Sequence, residues 1–226
     1  MKPQESIQIY GRRNSLNVQK AMWTLGELNL PYQRHDVGGS FGFPEEYAEL
    51  NPNRVVPTLR DGDLVLWESG AIVRYLARRY GMGTLWPEDP ATAAHADQWM
   101  DWHKDKVSFG FFDIFINRIR LGAEDCDETA VQRGIRLCAK QFVMLDEQLS
   151  KSAYLAGAEF TFGDVPMGAM TWRYLELDID RPPLPNVERW QSTLLERPAF
   201  RYHVAIPFGG DNAEWNALEA AGAGIQ

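Results

Sequence analysis

The sequence predicts an α/β domain followed by an all-helical one. Three observations carry this. Strand and helix patterns alternate over the first 80 or so residues. An Asp61-Gly62 pair joins two strand-like runs, a hairpin signal. From about Thr92 onward strand patterns give way to helical spacing.

In order, Ile7, Ile9 and Tyr10 begin a strand, and Gly11 to Asn14 form a polar turn. Leu16, Met22, Trp23, Leu25 and Leu28 recur at helical spacing up to the Asn29-Leu30-Pro31 stop. Tyr32 to Val37 reads as a second strand, Gly38 to Pro44 as loop, and Pro44 to Leu50 as a short helix. Pro57 to Leu59 and Leu64 to Trp67 form the hairpin. Ala71, Ile72, Tyr75 and Leu76 give the next helix its apolar face, and Gly81 suits its end. This βαβ-ββα unit spans residues 1–82, and residues 83–91, with Pro87 and Pro90, form a linker. Residues 92–226 carry a long helix through Trp99, Trp102, Val107, Phe111 and Ile114, and a second from Ala130 to Leu149. Thr161 to Asp164 has capping-box spacing ahead of a central helix, Val165 to Leu177. Short helices follow at Pro185–Leu195 and Pro198–Val204. The Gly- and Ala-rich tail after Phe208 is expected to be loosely held.

Composition narrows the function. The 226 residues carry a formal charge of −8, which disfavours nucleic acid, although Arg12, Arg13 and Lys20 allow a local basic patch. Two cysteines, Cys126 and Cys138, are too few for a disulfide framework and read as small core residues. The start of the chain, MKPQESIQIY, has no apolar signal core, and no apolar run approaches the roughly 18 residues of a membrane span. A cytoplasmic setting is expected. His95 and His103 stand about 12 Å apart on a helix, too far to share a metal, so no metal site is expected.

Two local signals point to a ligand. Proline at Val56-Pro57 suits a strand start, and a cis bond there would turn the Val56 amide and carbonyl outward to pair with an extended peptide. Glu68-Ser69 falls where a strand gives way to a helix. Free amides and the positive helix end there suit a carboxylate, and Glu68 an ammonium. A plain trans proline and a plain helix cap are the structural alternatives.

The order of polar turn, Val56-Pro57 and Glu68-Ser69, with the Phe160-Thr161-Phe162-Gly163-Asp164 helix start, resembles the bacterial cytosolic glutathione transferases. The resemblance implies a thioredoxin-like first domain, glutathione as cosubstrate with no other cofactor, and a homodimer. It implies that Val56 pairs with the cysteinyl part of glutathione ahead of a cis Pro57. Glu68 and Ser69 would hold the γ-glutamyl end, and Arg54 a glutathione carboxylate. Asn14, Ser15 and Asn17 are candidates to face the sulfur, Ser15 favoured and Asn17 second. No cysteine lies at this turn, which argues against the cysteine-dependent branches. Phe109, Phe112 and Trp172 are expected to line the pocket for a small electrophile, with Phe111 and Phe115 as further candidates. In a dimer, Asp101 would reach a neighbour's γ-glutamyl ammonium. Where many relatives have Asn after Glu-Ser, this chain has Gly70. A glutathione-dependent disulfide or peroxide reductase and a non-catalytic scaffold of the same fold are the alternative functions.

Overall fold

A computed structural model describes residues 6–226. Residues 1–5, read above as lacking a signal core, lie outside the described residues. Four strands, β1 (Ile7–Tyr10), β2 (Tyr32–His35), β3 (Thr58–Asp61) and β4 (Leu64–Trp67), form one sheet in the order β2-β1-β3-β4. β1 and β2 are parallel, joined by helix α1 (Leu16–Glu27), whereas β3 and β4 are antiparallel to their neighbours. The β3–β4 loop is two residues long, and Gly62 occupies its left-handed position at φ 59°. A short helix α2 (Tyr47–Leu50) precedes β3, and α3 (Ser69–Tyr80) follows β4. This is a thioredoxin-like domain. Ile7, Ile9 and Leu59 from the sheet close on Val18, Ala21, Met22 and Leu25 of α1 and on Ile72 and Leu76 of α3.

The rest is helical. A continuous helical run from Pro90 to Arg120 comprises α4 (Pro90–Trp102) and α5 (Ser108–Phe115), each followed by a π-helical turn, His103–Val107 and Ile116–Arg120. Then come α6 (Glu128–Leu149), α7 (Asp164–Glu176), α8 (Pro185–Leu195), α9 (Pro198–His203) and α10 (Asn212–Ala221). Cys138 is buried in this core and Cys126 half-buried; both are free.

The core of the helical layer extends onto α1. Trp23 is fully buried between Phe160 and Phe200, with ring centroids 5.4 and 4.8 Å away. Gly168 makes this approach possible: a Cβ there would stand 2.9 Å from the Trp23 ring and 2.7 Å from Leu194. Arg197 pairs with Glu27 at 2.6 Å, fastening the far end of α1.

Two expectations are corrected. The tail after Phe208 is not loose, because α10 docks through buried Trp215 and Glu219. Its Ala- and Gly-rich composition gives little local signal, and tertiary contacts hold it. The capping box at Thr161 is half formed. The Asp164 carboxylate accepts from the Thr161 N–H and hydroxyl at 3.0 and 3.2 Å, while its second oxygen takes the Leu155 N–H at 3.0 Å. The Thr161 hydroxyl oxygen accepts from Gly163 rather than from Asp164.

Burial pushes the Asp164 carboxyl up to about 6. Replacing it by Ala would leave three buried donors without their acceptor. Asp164→Ala is therefore expected to cost about 2–3 kcal/mol of stability in denaturant unfolding.

Candidate functional site

β1 delivers the chain to the turn at residues 11–15. There the Gly11 and Arg12 amides donate to the carbonyls of His35 and Val37, at 2.8 and 3.1 Å. Ser15 is the N-cap of α1, with extended backbone, yet its hydroxyl makes no capping bond. It is nearly buried and lines a cavity of about 310 Å³. The hydroxyl is thus left for something other than the helix. Asn14, the third candidate, is buried behind the turn, its carboxamide unpartnered among the described residues, and lines neither of the two cavities. Asn17 lies at the start of α1. Its Oδ1 accepts from Lys20 Nζ at 2.9 Å and from the Ser69 hydroxyl at 3.4 Å.

The Val56–Pro57 bond is cis. Neither the N–H nor the C=O of Val56 is taken up by another described residue, whereas the Val55 carbonyl accepts from Tyr47 and Asn51. Arg54 has φ 50° and points toward the Phe43 and Pro44 carbonyls, 3.4 Å away. Glu68 holds a positive φ of 70°, a conformation that costs a non-glycine residue about 1–3 kcal/mol and concentrates at ligand sites. Ser69 opens α3, so the first-turn amides of that helix lack intrahelical acceptors. At Gly70 a Cβ would meet only ordinary contacts.

Glu68 and Ser69 line a second cavity of about 610 Å³ between α3 and the α4–α5 run. Three cations, Lys20, Arg74 and Lys104, and three carboxylates, Glu68, Asp101 and Asp105, surround it. Lys104 pairs with Glu68 at 3.3 Å, and Arg74 with Asp97 and Asp101. Asn17 and Phe112 line both cavities and form the wall between them. Phe109 is three-quarters exposed at the rim of the second cavity. Phe115 lines the first cavity, whereas Phe111 is core. Trp172 lines neither; it packs against the helical core, and the next residue, Arg173, reaches the first cavity instead. One step along a helix turns a side chain by about 100°.

Arg12, Lys20, Arg120, Arg173 and Trp215 are site residues that sequence reasoning missed. The local basic patch that Arg12, Arg13 and Lys20 would allow does not form at the surface: Arg12 and Lys20 are buried, and Arg13 donates to the Tyr202 carbonyl. Burial, reinforced by Arg173, lowers Lys20 to about 7. Its neighbour His103, 3.5 Å away, is pushed well down by burial and then by Lys20. Among the described residues no group of three or more His, Cys, Asp or Glu side chains forms a metal site, and no helix is long and apolar enough to cross a membrane.

Comparison with known proteins matches this architecture. Residues 9–87 match the profile of the glutathione S-transferase N-terminal domain, and residues 105–198 that of its C-terminal domain. Glutathione S-transferase GstB of Escherichia coli is 40% identical over 205 residues, covering 89% of this chain and 99% of that protein. The chain belongs to the glutathione S-transferase family. Among solved transferases, the theta-class enzyme of Xanthomonas axonopodis pv. citri with glutathione bound superposes with a TM-score of 0.87 at 40% identity, covering 90% of this chain and 99% of that one. Poplar glutathione transferase F1 superposes at 0.79 with 26% identity, covering 87% and 95%. Its relatives include glutathione S-transferase 3 of Zea mays, 30% identical over 88% of this transferase and 93% of that one.

Lys20 gives this transferase a pH signature. Its folded pKa lies below the unfolded value of about 10.4, so the unfolded chain binds more protons between about pH 7 and 10.4 and stability rises across that window. Lys20→Met removes the cost of burying the cation. The variant is expected to gain about 1 kcal/mol or more over the parent at pH 6, with the gain shrinking toward pH 10, in denaturant melts at both pH values.

Proposed function

We propose that this protein is a glutathione transferase that ionises the glutathione thiol for attack on small electrophiles. The observation that carries the proposal is the uncommitted Ser15 hydroxyl at the positive end of α1, beside the unpaired backbone of Val56. In this reading residues 1–82 cradle the tripeptide, and residues 92–226, beyond the 83–91 linker, supply the electrophile pocket. The second cavity has both signs of charge that an amino-acid zwitterion requires. The γ-glutamyl carboxylate takes the Ser69 hydroxyl and the α3 amides, and the ammonium takes Glu68. The cysteinyl unit pairs with Val56 ahead of Pro57, and Arg54 receives the glycyl carboxylate. The sulfur then lies at Ser15, with Phe112 beside the incoming electrophile.

A free thiol with a pKa of about 8.5 is only about 3% thiolate at pH 7. Lowering the pKa by about two units requires about 2.7 kcal/mol of preference for the anion. One hydrogen bond from Ser15 and the N-terminus of α1 together supply an amount of that order. No protein nucleophile is needed, since the cosubstrate brings its own. Asn17 is held by Lys20 and Ser69, so it positions the γ-glutamyl site more than the sulfur.

A homodimer is part of the proposal. β4 leaves Leu64, Val65 and Trp67 exposed at the sheet edge, with Val55 near them in the sequence, and a cytoplasmic setting fits the free cysteines. Light scattering is expected to return twice the chain mass, and a monomer at micromolar concentration would rule the dimer out.

The thiol pKa of bound glutathione, followed by ultraviolet thiolate absorbance, tests the chemistry. Ser15→Ala is expected to raise it by about one unit, or about 1.4 kcal/mol, and Asn17→Ala chiefly to weaken glutathione binding. A pKa unmoved by Ser15→Ala would remove Ser15 from the mechanism. Oxidised glutathione as product, in place of a thioether, would favour the reductase reading.

A further inference from the structure

The two cavities differ in charge. The second is balanced, as described. Among the described residues, the first is lined by Arg12, Arg54, Arg120 and Arg173 and by no carboxylate, in a chain whose formal charge is −8. One acid, Glu219, reaches Arg12 from α10 at 2.6 Å. Arg120 and Arg173 have no ion-pair partner among the described residues. Aromatic faces stand where counterions would. Trp215 lies 5.3 Å from the Arg120 guanidinium and 5.6 Å from that of Arg173, and Phe115 lies 4.9 Å from the latter. Arg173 is only 3% exposed, and among the described residues only its Nη2 is occupied, by the Asn14 carbonyl and Gln19. Burial, then Arg12 and Arg120, bring it down to about 9. A buried cation crowded by other cations is costly until an anion arrives.

We propose that this cavity selects small electrophiles bearing a carboxylate, which Arg120 and Arg173 receive beside Ser15. The inference rests on the transferase reading and names its second substrate. The planar guanidinium fork matches a carboxylate in two-point geometry. Arg54 is left for the tripeptide's own glycyl end. In the reaction the thiol first loses its proton to solvent. The sulfur then gives an electron pair to the carbon next to the carboxylate; the C–S bond forms as the carbon–halogen bond breaks, and halide leaves with the bonding pair. Thiolate and carboxylate repel one another, and the guanidiniums offset that repulsion.

Iodoacetate and iodoacetamide are near-isosteric and differ in charge. With each kcat/KM divided by the uncatalysed rate with glutathione, iodoacetate is expected to be favoured about tenfold or more. Arg120→Gln should reduce that preference about tenfold while leaving the affinity for glutathione in place. Arg120 is exposed, so the variant is expected to keep the fold, which its unfolding midpoint in denaturant checks. Equal acceleration of both reagents by the parent, or a preference untouched by Arg120→Gln, overturns the proposal. So does a variant that binds glutathione more weakly and slows both reagents alike, since Arg120 then serves the glycyl carboxylate. Calorimetry supplies an arm free of turnover. S-carboxymethylglutathione should bind about tenfold more tightly than S-carbamoylmethylglutathione, with the gap widening at low salt. Equal affinities alongside intact glutathione binding sink this inference and spare the transferase reading. Loss of all three ligands sinks both.

Discussion

One buried guanidinium holds the site together. Arg173 reaches from α7 across the domain boundary and donates to the Asn14 carbonyl at 2.6 Å and to Gln19 at 2.9 Å. It thereby fixes the turn that presents Ser15 and starts α1. A cation at a helix N-terminus opposes the helix dipole, and Lys20 adds a second cation about one turn further along α1. Two such placements on one helix start make sense if that place receives negative charge. The thiolate of the proposed mechanism meets this condition.

The rest of α1 is arranged so that this turn cannot drift. Its lower face packs on the sheet and its upper face, through Trp23, on the helical layer. The Trp23 indole donates to Glu27 at 2.7 Å, and Glu27 in turn holds Arg197. Polar anchors at both ends and an aromatic one between them join the domains along a single helix. Reactivity that depends on sub-ångström placement gains from such fastening. The loop ahead of α2 is tied in by a separate route. Glu219 of α10 accepts from the Ser40 amide at 2.8 Å and pairs with Arg12, and Gly39 leaves the room, since a Cβ there would lie 2.6 Å from the Glu219 carboxylate.

Much of the fold was legible in the sequence because its signals are local. α8 runs from Pro185 to Leu195, as its first-turn proline and apolar spacing predict, and α1, α3, α6 and α7 begin within two residues of their expected starts. The Val56-Pro57 and Glu68-Ser69 signals were equally local, and the structure adds a cis bond and a positive φ to them. What escaped was long-range. Arg12, Arg120 and Arg173 meet across more than 150 residues of chain, and no window of sequence contains them together. Trp172 illustrates the same limit: helical spacing places an aromatic on α7, but only packing decides whether it or Arg173 faces α1. α10 escaped because its buried anchors, Trp215 and Glu219, stand among residues with weak patterns.

The π-helical turns in the run from Pro90 to Arg120 have an evolutionary consequence. Each holds one residue more than the regular spiral, so the following side chains are rotated by about 100° relative to an uninterrupted helix. A single-codon deletion within His103–Val107 would restore the regular spiral and swing Phe112 out of the partition, while leaving the apolar content of the rod almost unchanged. Gaining or losing one amino acid in this turn, which itself lines the second cavity through His103, Lys104 and Asp105, therefore remodels both chambers together.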